Sequence, residues 1–167
     1  PKLPAASAEF EVPELPFCWQ PVSRAILADG RLAILGADVD LAGEHRRIHA
    51  ALLTSSVVTL KPPSQLHQLA ARGACRIWTL GPEGWIEGPT IPLETPFPLM
   101  DRFADGRSLV VGARTSAGAN ARVIAPDGGL LDRFMLGDGI EHVVVDLSNR
   151  IWVGWFDEGV FGNDDWR

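Results

Sequence analysis

One short pattern constrains this 167-residue chain more than any other feature: an arginine, about four mainly apolar residues, then a glycine. It occurs at Arg31–Gly36, Arg76–Gly81 and Arg107–Gly112, and one residue shorter at Arg150–Gly154. Two copies follow Ala-Asp-Gly (Ala28–Gly30 and Ala104–Gly106), one follows Leu147-Ser148-Asn149, and one follows Gly73-Ala74-Cys75. Asp-Gly and Asn-containing pairs between apolar runs signal hairpins, because tight primed turns need positive φ. An apolar run also precedes each turn, at Ala25–Leu27, Leu66–Ala70, Leu99–Phe103 and Val143–Val145. Each unit therefore reads as strand, tight turn, strand.

Two units continue. After Gly112 come a polar loop, a strand at Arg122–Ala125, a turn at Pro126–Gly129 and a strand at Leu130–Leu136. After Gly36 come a loop, Arg47–Leu53, a turn at Thr54–Ser56 and Val57–Leu60. Leu41–Leu53 also holds helix formers at i, i+4 spacing. Gly43 weakens a helix, and the other complete unit has a strand at that offset, so a strand is expected. The fold class expected is all-β: a partial β-propeller of about four blade units, each a four-stranded antiparallel meander, the last incomplete. The units are placed at about 22–63, 64–96, 97–138 and 139–167, behind a Pro-rich arm at 1–21 that holds five prolines. Because a blade stacks against neighbours, Ile151–Phe156 is expected to be covered on both faces. Trp78 and Trp152 share an offset after the repeat arginine and are expected to pack between blades.

These residues resemble known propeller repeats. Asn149–Gly154 followed by Gly159-Val160-Phe161 resembles the two-component-regulator propeller repeat. The Asp-Gly-Arg turns resemble the wider group of NHL-repeat and gluconolactonase-like propellers. The resemblance implies fold more strongly than activity, since propellers host enzymes, sensors and scaffolds.

Composition narrows the function. A net charge of −6 and a sequence pI of about 5.1 argue against a nucleic-acid footprint, which needs a basic face. Apolar stretches are too short for a membrane-spanning helix. Residues 1–21 lack a charged then apolar leader, so a cytoplasmic location is the default expectation. Cys18 and Cys75 are read as two small buried thiols and not as a disulfide framework.

The candidate ligand-binding residues are Glu141, His142, Asp157 and Glu158. Glu141-His142 opens a first strand, and first strands line a propeller channel. Asp101-Arg102 holds the analogous place one unit earlier. Asp157-Glu158, with Asp164-Asp165 close behind, could hold Ca²⁺. His45 and His49 stand at the i, i+4 spacing of zinc ligands, but Arg46 replaces the general base of His-Glu-x-x-His, so they are read as part of a polar outer strand. No catalytic residue and no cofactor is nominated. The leading expectation is a non-enzymatic module that binds a ligand or partner protein. The alternative is a metal-dependent, gluconolactonase-like hydrolase, for which Ca²⁺ would be the cofactor. The unfinished last unit raises the expectation that another copy of the chain, or further blades of a longer protein, completes the ring.

Overall fold

The computed structural model describes residue 15, residues 18–54, 62–115 and 118–156. They are mostly β, in antiparallel sheets, with two helices. The first sheet runs β1 (Gln20–Ile26), β2 (Leu32–Ala37), β3 (Ala74–Gly81), β4 (Gly84–Pro92). The second runs β5 (Pro98–Arg102), β6 (Ser108–Gly112), β7 (Ala121–Ile124), β8 (Leu130–Phe134). The third pairs β9 (Ile140–Val145) with β10 (Ile151–Trp155). Both four-stranded sheets are meanders, and the described residues form no closed ring of sheets.

The main departure from expectation lies between β2 and β3. Leu41–Thr54 is a helix, α1, and Pro62–Arg72 is a second, α2. The strand expected within Leu41–Leu53 is therefore corrected, as is the one at Leu66–Ala70; Val57–Leu60 lies outside the described residues. The physical reason is local. Asp40 caps α1, its Oδ1 accepting the Gly43 N–H at 2.7 Å. A β-carbon at Gly43 would run into that same carboxylate, so the glycine that argued against a helix is the residue its cap requires. In α2, Pro62 stands at the first position, where its missing N–H costs nothing. Leu66 and Ala70 are buried at i, i+4 spacing. Because the helices are an insertion, strands expected in separate units at 22–63 and 64–96 share one sheet. Arg76 lies inside β3 and not at a hairpin. Trp78 and Trp152 are thus not equivalent: the first is 4% exposed, the second 57%.

Four hairpins share one geometry. In β1–β2, β5–β6, β7–β8 and β9–β10, the carbonyls of Leu27, Phe103, Ala125 and Asp146 accept the N–H three residues on, at 2.8–3.0 Å. That residue is Gly30, Gly106, Gly128 or Asn149, each with φ between 60° and 95°. One left-handed residue per turn marks a three-residue loop with a bulge, not the two-residue primed turn expected. Aspartates lock three of these turns. Asp29 accepts the Arg31 Nε at 2.8 Å, Asp105 that of Arg107 at 2.8 Å, and Asp146 that of Arg150 at 2.8 Å. Asp146 also accepts the Trp152 indole N–H at 3.0 Å, and these bonds hold its carboxyl well below the usual range. The recurring arginines at 31, 107 and 150 are turn clamps.

The second sheet is the middle layer. Met100, Val110 and Ile124 pack with Leu35, Ile77 and Ile91 of the first sheet. Leu109, Val111 and Val123 pack with Ile140, Val143 and Val145 of the third. Strands β6 and β7 are accordingly buried at every position. The two-faced burial expected for Ile151–Phe156 occurs here instead. Trp152 and Trp155 of β10 are 57% and 40% exposed, because the third sheet is covered from the second sheet's side.

Cys75 is buried and Cys18 exposed, and both are free, so the expected burial holds for one thiol. Burial pushes the Cys75 thiol up to about 12, out of reach of thiolate chemistry. Among the described residues no helix is long and apolar enough to cross a membrane.

Candidate functional site

The first strands of the three sheets lie side by side, β1 against β5 and β5 against β9. A cleft of about 230 Å³ opens where they meet, and Glu141 and His142 stand in its wall. Neighbours in a regular strand point to opposite faces. Here the ladder skips a residue: His142 pairs with Gly154 and Ile140 with Trp155, so Glu141 is the extra residue of a bulge. The bulge re-aims Glu141, and its Oε1 comes within 3.8 Å of His142 Nε2. Both side chains are more than half exposed, at 59% and 74%. Arg24 and Ser23 of β1 line the same cleft.

The floor is more rigid than the wall. Asp101 of β5 is 2% exposed, and its two oxygens accept backbone N–H groups from Val145 at 2.6 Å and Arg102 at 2.7 Å. Burial pushes the Asp101 carboxyl up, against the lowering effect of those two bonds. The Arg102 guanidinium reaches the Thr79 hydroxyl of β3 at 3.0 Å. Asn149, in the β9–β10 turn, accepts the Ala104 N–H at 2.9 Å. These contacts tie the three sheets together beside the cleft.

Of the four candidate residues, the structure brings Glu141 and His142 together; Asp157 and Glu158 lie outside the described residues. His45 and His49 are exposed on α1, where the His45 ring meets Phe97 edge-on at 6.2 Å. That corrects the polar outer strand expected there, for the reason given by the Asp40 cap. Sequence reading missed Arg24 and Ser23, because adjacency across sheets leaves no local trace. Among the described residues no hydrogen bond joins Ser23 to His142, and no three or more His, Cys, Asp or Glu side chains are grouped to hold a metal ion. The arrangement offers a mixed acid, imidazole and guanidinium surface over an immobile base. Comparison with protein-family models, with curated proteins and with solved structures found no match for this chain.

Proposed function

We propose that the chain is a non-enzymatic β-propeller module that binds a ligand or partner protein at the cleft where β1, β5 and β9 meet. The observation that carries the reading is the bulge at Glu141, which turns two exposed titratable side chains toward one cleft built from three sheets. In this reading each four-stranded sheet is a blade, the third sheet is the inner half of another, and the helix pair is an insertion within the first blade. Three strand-one neighbours around a shared cleft are what blades stacked about an axis would present. The hydrolase alternative needs converging metal ligands, and Asp101, the other carboxylate at the cleft, is already engaged by two backbone donors.

Amide NMR of the isotope-labelled chain against a fragment library and a peptide panel tests this. Hits are expected to shift residues 23–26 and 141–144, and His142→Ala with Glu141→Gln is expected to weaken them about tenfold, the scale of one charge-assisted bond. Hits confined to other surfaces would sink the reading. So would Ca²⁺-dependent lactone hydrolysis abolished by Glu141→Gln, which would install the hydrolase instead.

The same reading assigns a partner to β10. Among the described residues β10 pairs with β9 alone, and Trp152 and Val144, paired across the ladder, are both more than half exposed. An unpaired strand edge beside an exposed apolar face invites pairing with another chain. A second copy, or further blades, is expected to cover it. Sedimentation equilibrium of the chain should show concentration-dependent dimers that Trp152→Lys weakens; a monomer at all concentrations would refute a second copy as the partner.

A further inference from the structure

A second cleft, of about 220 Å³, shares no lining residue with the first. It lies between α2, the link from β4 to β5, and the strands β7 and β8. Three arginines line it, Arg114, Arg122 and Arg133, against one carboxylate, Glu94.

The cluster is built, not loose. The Arg122 side chain is 6% exposed. Its guanidinium donates to the Pro92 carbonyl at 2.8 Å and the Leu93 carbonyl at 2.9 Å. Glu94 follows directly, in the left-handed region at φ 64°, where a non-glycine residue is strained. That backbone aims its Oε1 at Arg133, 2.7 Å away, and at Arg122, 3.3 Å away. Burial raises the Glu94 carboxyl, but the Arg133 hydrogen bond and the Arg122 charge outweigh it and hold the group below its ordinary range. One carboxylate thus fixes two guanidiniums.

The rim is polar and equally fixed. Asn120 donates to the Gly112 and Gly137 carbonyls at 2.8 and 2.7 Å and accepts the Leu136 N–H. The Thr115 N–H is held by Asp138 at 2.8 Å. Arg114 stacks over the Phe156 ring, 4.1 Å from its centre. Thr95 and His67 complete the wall. A cleft of this size suits a small molecule.

We propose that this cleft is a binding site for a small oxyanion ligand, one carrying a carboxylate or a phosphate group. Guanidiniums match both groups geometrically. Here they are ordered in advance, so binding immobilises few protein groups.

Isothermal titration of the full chain with inorganic phosphate and, separately, with malonate tests the site, with sodium chloride matching ionic strength. Saturable binding of at least one is expected, with amide shifts at residues 112–122 and 133. Arg114→Gln and Arg133→Gln should each weaken it about tenfold. Phosphate alone binding assigns a phosphoester class, and malonate alone a carboxylate class. No saturable binding of either anion overturns the proposal, and so does binding that both variants leave unchanged. Arg133→Gln removes a Glu94 partner; should it fail to fold, Arg114→Gln, which leaves the Glu94 contacts intact, decides the question.

Discussion

Arg122→Ala is expected to destabilise the chain by about 3 kcal/mol, the lower end of the range for removing one partner of a buried ionic contact. The loss has three sources. The carbonyls of Pro92 and Leu93 lose their guanidinium donors, each a bond to a charged group. Glu94 retains only Arg133 to hold its strained backbone in place. The deleted side chain also leaves a void under the β4–β5 link, on the face of the buried strand β7 that it shares with Ile124. Chemical denaturation monitored by tryptophan fluorescence should record this as a lower midpoint. Arg122→Lys should recover only part, since an ammonium cannot span two carbonyls and a carboxylate in the guanidinium's planar fork. A loss below about 1 kcal/mol, the scale of an ordinary surface change, would show that the β4–β5 link holds without this clamp.

Asp101→Asn, nearly isosteric, is expected to cost about 2 kcal/mol below pH 3.8, where the effect is largest. Both carboxylate oxygens accept backbone N–H groups, from Val145 and from Arg102. An asparagine has one oxygen to offer, so its amide N–H must face a backbone donor. The Val145 bond also joins β5 to β9 across two sheets, so the third sheet should loosen first; amide exchange at 140–145 would read this. The pH dependence has a definite sign. Burial raises the folded-state value above the ordinary 3.8. The folded chain then binds the proton more tightly than the unfolded chain does. The stabilising contribution of Asp101 is therefore complete below 3.8 and declines as pH rises through the folded value. The stability gap between wild type and Asp101→Asn should narrow over that window. A gap that widens with pH would contradict the assignment.

Much of the strand pattern was legible in the residues. The runs ending at Leu27, Phe103 and Val145, and those following Arg31, Arg107 and Arg150, are hairpin strands where the sequence places them. The Asp-Gly-Arg and Asn-Arg signals worked because a left-handed residue and an aspartate two to four positions from an arginine are local chemistry. Helix α1 was not legible because the decisive element, the Asp40 cap, lies one residue outside Leu41–Leu53. Glu141 and His142 were legible as residues opening a strand. That both line one cleft was not, since this depends on the bulge against β10.

The sequence by itself determined an antiparallel β chain with clamped turns, since period, turn residue and arginine partner are all settled within a few positions. Tertiary structure decided the rest. It merged strands separated by 36 residues into one sheet, and made β6 and β7 the buried middle layer. It also gathered Glu94, Arg122 and Arg133 around one cleft from three separate segments. Such groupings depend on which faces find one another when apolar surface leaves water, and that burial is non-directional: it requires that a partner be found but does not name one.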